Sequence, residues 1–242
     1  MSKQNRKSRD KNKRNVIKEN HFNLMDIYPK TDNQEVFFNN YESNKSQLLL
    51  GYPGTGKTFM AMQKSFEEIG SPASDYSKLV IVRSAVPTRD LGFLPGTLEE
   101  KAAVYELPYS SICTELFGRG DAYSILKKRG TIDFITTSFI RGITLEHAIV
   151  IVDEFENMTT HEASSLVTRI GQSCKIIFCG DLLQTDFTRA DDKDIGTFIK
   201  IVKSMPRYFD ITEFGAEDIV RSSLVKAFIL AQAKLGLIKN KP

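Results

Sequence analysis

Between Leu50 and Phe59 the chain reads GYPGTGKT, three glycines and a proline followed by a lysine and a threonine. The fixed positions of G-x-x-x-x-G-K-[ST] are met at Gly51, Gly56, Lys57 and Thr58, and the chemistry this spacing serves is the holding of a phosphate chain. Glycine lets the backbone curl until successive N–H groups point at one anion, and a helix starting near Lys57 adds the positive end of its dipole. On this reading Gly51, Tyr52, Pro53, Gly54, Thr55 and Gly56 form the cradle. Lys57 reaches the β- and γ-phosphates of ATP, and the Thr58 hydroxyl ligates Mg²⁺. An accidental glycine-rich turn is the bland alternative; an apolar run just before the loop and a helical pattern just after it argue against that.

Such a loop needs a carboxylate from a neighbouring strand. The aliphatic run 148–152 ends on Asp153 and Glu154, and in open α/β sheets ligands gather at the C-terminal ends of strands. Asp153 is expected in the Mg²⁺ shell and Glu154 as the general base that polarises an attacking water. Alone, the pair reads as a solvated strand end; following a phosphate loop, it reads as catalytic. Gly180-Asp181-Leu182-Leu183-Gln184 comes after a further strand-like run, and there the Gln184 amide is placed to orient water or sense the γ-phosphate.

The elements that must position these groups are legible as apolar runs at 47–50, 78–83, 132–136, 148–152 and 174–179, with 208–214 as a sixth. They are apolar throughout rather than alternating, which predicts strands buried on both faces. Helical patterns lie between them at 57–69, 160–170 and 195–205, with a closing helix at 216–235. Strands alternating with helices predict an α/β fold with a mostly parallel, doubly wound sheet. Residues 85–130, with Pro87, Pro95 and Pro108 among several glycines, break the rhythm and are expected to project from the sheet edge as an insertion.

A length of 242 residues suits one medium domain, and 41% hydrophobic with 26% charged residues is ordinary for a globular protein. The net charge of +3 is unevenly spread. Residues 1–20 carry eight Lys/Arg and two Asp/Glu, a net +6, which leaves −3 for the rest. That stretch has too few apolar residues to order itself, so a disordered basic tail is expected ahead of a domain at 21–242. It reads equally as an arm for nucleic acid or as a solubilising tail. It lacks the apolar core of a secretory signal. No stretch approaches the roughly 20 apolar residues of a membrane span, so no membrane partner is expected. Cys113, Cys174 and Cys179 include no CxxC spacing. If 174–179 is a strand, Cys174 and Cys179 face opposite sides of the sheet and neither pair nor share a metal. A reducing, cytoplasmic setting is expected.

The order of phosphate loop, Asp153-Glu154 and GDLLQ resembles that of RecA-like ATPases in the superfamily 1 helicase branch. More narrowly, the chain resembles the PhoH family. The residues that carry the likeness are 51–58, the LGFLPG of 91–96 with Glu100-Lys101 behind it, Ile140-Arg141-Gly142-Ile143-Thr144-Leu145, Asp153-Glu154, Gly180 to Gln184, and Asp218-Ile219-Val220-Arg221. The likeness runs from about residue 32 to about residue 235. It implies a single RecA-like core. No nuclease-like domain such as some relatives carry is expected, because residues 1–30 are too short to hold one.

Further roles follow from the resemblance alone. Gln34 stands where helicase-like ATPases place an adenine-reading glutamine; a surface glutamine is the other reading. Arg221 resembles a late family arginine that contacts the γ-phosphate in cis or a neighbouring subunit's nucleotide in trans. Arg141 and Arg83, each ending a strand-like run, serve the same face, an RNA phosphate, or a structural ion pair. The family more often reads DEAQN where this chain has Asp153-Glu154-Phe155-Glu156-Asn157, so Glu156 puts an acid in place of an amide. Ser222 likewise follows the late arginine, where His is commoner.

The expectation is an ATPase using ATP and Mg²⁺, coupled to RNA or single-stranded nucleic acid. A single core implies a homo-oligomer, a hexameric ring in which Arg221 or Arg141 completes a neighbour's site. A slow nucleotide-gated binding module is the alternative. Thymidine kinases share the core but usually carry a four-cysteine zinc site, which three dispersed cysteines do not build.

Overall fold

A computed structural model of the chain describes residues 22–84, 98–140, 142–181 and 192–235. Six strands form its sheet: β1 (Ser46–Gly51), β2 (Lys78–Arg83), β3 (Ile132–Thr136), β4 (Ala148–Asp153), β5 (Cys174–Gly180) and β6 (Phe209–Phe214). Their order is β3-β2-β4-β5-β1-β6, and every pairing is parallel. The architecture is therefore the single RecA-like α/β domain expected. All six apolar runs became strands, two with the expected bounds and four moved by a single residue at one or both ends.

Seven α-helices are described: α1 (Asp32–Tyr41), α2 (Lys57–Gly70), α3 (Leu98–Phe117), α4 (Ala122–Lys128), α5 (Thr160–Val167), α6 (Asp192–Lys203) and α7 (Ser223–Lys234). Alternate residues of each strand feed opposite layers. Leu49, Ile81, Ile151 and Ile177 face α1 to α4, whereas Leu50, Val82, Val152 and Phe178 face α5 and α6. Cys179 joins the first layer and Cys174 packs against the second, as their spacing predicts. A fully buried Val, Leu or Ile stabilises by roughly 1.5–3 kcal/mol. A one-residue slip of a strand would send its whole apolar set to the wrong layer, so the register is firmly fixed.

The segment between β2 and β3 does interrupt the alternation, but its described part does not project from the sheet edge. Tyr109, Cys113, Leu116 and Phe117 of α3 and Ala122, Tyr123 and Leu126 of α4 belong to the first-layer core. Those apolar side chains lay the insertion on the sheet. The closing helix is also shorter than expected. It begins at Ser223, and residues 216–222 form a loop in which the Asp218 carboxylate accepts from the Gly215 N–H at 2.7 Å and from Asn33 Nδ2 at 2.8 Å. Arg221 therefore lies just ahead of the last helix, not on its first turn. Among the described residues no helix is long and apolar enough to cross a membrane.

Candidate functional site

The loop after β1 has the backbone its composition calls for. Gly51 lies so close to β6 that a Cβ would come within 2.1 Å of the Phe214 carbonyl oxygen. Gly54, at φ +75°, would drive a Cβ to 2.8 Å from Cγ of Arg221. Gly56 caps α2 with no side-chain hydrogen bond, so the first-turn N–H groups of that helix are left to an anion. Gly54, Gly56, Lys57 and Thr58 line a cleft of about 830 Å³. Tyr52 turns away from it and packs on Ile219, Ile229 and Ala233, tying the loop to α7. Pro53 is half-buried in the turn behind, and the Thr55 hydroxyl donates to the Tyr52 carbonyl at 2.9 Å.

Lys57 Nζ donates to the Tyr52 carbonyl at 2.7 Å, to the Gly51 carbonyl at 3.3 Å and to Thr55 Oγ1 at 3.2 Å. It also pairs with Asp181 Oδ1 at 3.1 Å. Burial pushes the Asp181 carboxyl up, against the pull of Lys57. Asp181, the acid of the GDLLQ stretch, thus touches the phosphate-loop lysine. Gln184, the residue of that stretch expected to act, lies outside the described residues, as does Arg141.

Thr58 Oγ1 donates to Asp153 Oδ1 at 2.7 Å, and the other carboxylate oxygen accepts from the Tyr109 hydroxyl at 2.9 Å. Burial raises the Asp153 pKa, and these two hydrogen bonds oppose the rise. A hydroxyl and a carboxylate meeting at the mouth of a phosphate loop are hard oxygen donors. Mg²⁺ usually takes one or two such protein groups and completes its shell with phosphate oxygens and water, so the residues fit that ion.

Glu154 takes a left-handed backbone, φ 49°, immediately after β4. Its carboxylate pairs with the Arg83 guanidinium and accepts from Asn157 Nδ2 at 3.3 Å. The β2–β4 register sets Arg83 opposite Asp153, which is why the arginine meets the next residue of the acid pair. Of the readings open for Arg83, the observed one is an ion pair. Glu156 also lines the cleft, 8% exposed, and one of its oxygens has no hydrogen-bond partner among the described residues.

Gln34 is buried at the cleft wall. Its Nε2 donates to the Thr55 carbonyl at 3.0 Å, and its Oε1 accepts from the Lys30 N–H at 2.8 Å. One N–H and one lone pair of that amide remain for a further partner. Arg221 lies along Gly54 of its own chain, where Val220 N–H donates to the Gly54 carbonyl at 3.1 Å, and both residues line the cleft.

The family described as PhoH-like protein matches residues 26–233. The chain belongs to the PhoH family. It is similar to the PhoH-like protein of Bacillus subtilis (strain 168), 32% identical over 212 residues, covering 86% of this chain and 64% of that one. It is 29% identical over 214 residues to the PhoH-like protein of Mycobacterium leprae, covering 86% and 59%. It is 28% identical over 200 residues to Protein PhoH of Escherichia coli (strain K12), covering 82% and 56%. The chain therefore spans between 56% and 64% of the length of these relatives. Among solved structures, the Hef helicase domain of Pyrococcus furiosus aligns with a TM-score of 0.45 at 14% identity, over 76% of this chain and 39% of that one.

Two contributors to this candidate site are not marked in the sequence. Tyr109 lies in a segment read as an edge insertion, and no motif marks it. Residues 26–30 line the cleft from outside any expected element. Phe22, stacked edge-on to Phe117 at 5.3 Å, and the Met25 N–H, bonded to the Leu116 carbonyl at 2.8 Å, pin that stretch to α3. The apolar letters of FNLMDIY at 22–28 were the available signal.

Proposed function

We propose that this chain binds ATP with Mg²⁺ in the cleft and hydrolyses the γ-phosphate. The observation that carries the reading is the Thr58–Asp153 contact beside Lys57, on the wall of a cleft of about 830 Å³. Two elements distant in sequence deliver there the hydroxyl, carboxylate and amine that phosphoryl transfer requires. The loop amides and Lys57 grip the phosphates, and Thr58 and Asp153 hold the ion, which when bound neutralises charge on the phosphate oxygens. Glu154 accepts a proton from water as its oxygen attacks the γ-phosphorus. The bond to the β–γ bridging oxygen breaks, and the products are ADP and phosphate. Gln34, through its remaining N–H and lone pair, reads the adenine. Arg221, beside Gly54 of the loop, contacts the γ-phosphate of its own subunit or, in an oligomer, that of a neighbour.

The test is Glu154→Gln. A labelled ATP analogue should still bind, while turnover falls by about 10²-fold or more, the usual contribution of a positioned base. Near-normal turnover would end the role of Glu154.

The proposal extends to RNA or single-stranded nucleic acid as the partner that hydrolysis remodels, supported by the +6 charge of residues 1–20 and by the family resemblance. It extends also to a hexameric ring, with Arg221 or Arg141 completing a neighbour's site. Sedimentation as a monomer with ATP would sink the ring. The pairing of Glu154 with Arg83 favours a second reading, a slow nucleotide-gated switch. Turnover assayed with and without RNA separates the two.

A further inference from the structure

Glu154, the base in the proposed reaction, is anchored through one carboxylate oxygen in the arrangement observed. Its Oε2 oxygen is paired with Arg83 and accepts from Asn157 Nδ2 as well. Its backbone sits in the left-handed region, an unfavourable choice for a glutamate that persists only when the surroundings enforce it. Arg83 is itself held in place. The end of β2 fixes its Cα, and its guanidinium carbon lies 5.7 Å from the ring centre of Tyr105 on α3. Burial disfavours the arginine's charge, but the pairing with Glu154 outweighs this and raises its pKa.

We propose that Arg83 is a positioning residue that sequesters Glu154, and that the phosphate backbone of a single-stranded nucleic acid relieves this by taking the guanidinium for itself. The inference rests on the hydrolytic reading of Glu154 and on the nucleic-acid partner proposed above, and adds a means of regulation to them. Three features support the exchange. The Glu154 side chain is 41% exposed and that of Arg83 20%, so the pair lies where water and salt weaken it and an incoming anion competes readily. A guanidinium carries five donors in a planar fork whose geometry suits phosphate at least as well as carboxylate. Once released, Glu154 is free to leave its unfavourable backbone and turn to a water beside the γ-phosphate. The other acid facing Arg83 is Asp153, which keeps its own partners, Thr58 and Tyr109, throughout.

The test uses the full chain and Arg83→Gln, with poly(U) as the nucleic-acid probe. Without poly(U), the variant should turn over ATP roughly two- to fivefold faster than wild type, the factor that loss of a partly exposed ion pair corresponds to. Poly(U) should stimulate wild type and leave the variant nearly unchanged. Arg83→Lys, which keeps a charge but not the fork, should fall between them. Melting temperatures show whether each variant is folded. A folded Arg83→Gln whose basal rate is unchanged or lower overturns the sequestration. Equal stimulation of variant and wild type by poly(U), no stimulation of wild type, or equal stimulation by inorganic polyphosphate overturns the nucleic-acid relief. Glu154→Gln is the control on the underlying reading. Should it retain turnover, the hydrolytic assignment has failed, and the inference falls with it.

Discussion

Helix α2 and strand β5 are joined at both ends by a lysine and a carboxylate. At the C-terminal edge of the sheet, Lys57 opens α2 and meets Asp181 just after β5 at 3.1 Å. At the other edge, Lys175 near the start of β5 meets Glu68 near the end of α2 at 3.0 Å. Both lysines are almost wholly buried. What differs is the company each keeps. The Lys175 amine lies 4.0 Å from the centre of the Tyr41 ring, donates to the Tyr41 carbonyl, and borders no described cleft. Lys57 donates to loop carbonyls beside a cavity large enough for a nucleotide. A buried ion pair on its own does not mark a site; a buried pair whose cation borders a cleft does.

The most direct way to break that comparison is to truncate both lysines. Lys57→Ala should lower ATP turnover by about 10²-fold or more, the effect of removing a preorganised electrostatic donor, and should leave the protein folded although Asp181 loses its cation and some stability goes with it. Lys175→Ala should leave Glu68 uncompensated and destabilise the fold by about 3 kcal/mol, the low end for a broken buried pair because Glu68 keeps some contact with water. Denaturant unfolding and a steady-state assay on the two variants settle it. Were Lys57→Ala to unfold the protein and Lys175→Ala to stop turnover, the two ends would have been assigned the wrong way round.

The edge that carries the candidate site was far more legible in sequence than the opposite one, for a physical reason. The phosphate loop is local: eight consecutive residues set the backbone, the helix start and the lysine together. Asp153 and Glu154 were legible because an aliphatic strand announces its own end. Lys175 carried no such signal, since its partners are 107 and 134 residues away and a lysine in a strand reads as surface. The Arg83–Glu154 pair depends on which strands lie side by side, which apolar patterning does not encode. Tyr109 was hidden differently. A proline-broken stretch read as a protrusion contains a helix packed on the core, with Pro108 tolerated inside it.

Glu156 sharpens the comparison, because it is a cleft acid with no cation of its own among the described residues. Burial raises its pKa from the ordinary value to about 7, although the Asp181 N–H favours the ionised form. An acid whose pKa is higher folded than unfolded stabilises the fold fully below the unfolded value. That contribution is lost as pH rises between about 4.5 and 7. The loss amounts to about 3 kcal/mol. Glu156→Gln should therefore match wild type near pH 4.5 and be more stable by about that amount at pH 8. Melts of both proteins across this range check it. Parallel stability curves would mean that Glu156 finds a compensating partner, and that acid and amide are equivalent at this position.

The smallest effect belongs to Tyr109, which asks on which side of the comparison α3 falls. Its hydroxyl does nothing for packing. Its ring, 5.8 Å from that of Phe134 and fully buried, fills the same space in a phenylalanine. What Tyr109→Phe removes is one of the two hydrogen bonds that orient Asp153, while the bond from Thr58 remains. Outer-shell partners of a metal ligand are commonly worth 10- to 100-fold in metal affinity, and with one of two donors kept the low end applies. The Mg²⁺ concentration for half-maximal turnover should rise by about tenfold, with the rate at saturating Mg²⁺ and the melting temperature near those of wild type. A variant that melts early with an unchanged Mg²⁺ requirement would make α3 a packing helix, as Lys175 makes the far edge a packing edge. A shifted Mg²⁺ requirement in a protein of ordinary stability would make the inserted helix part of the nucleotide site.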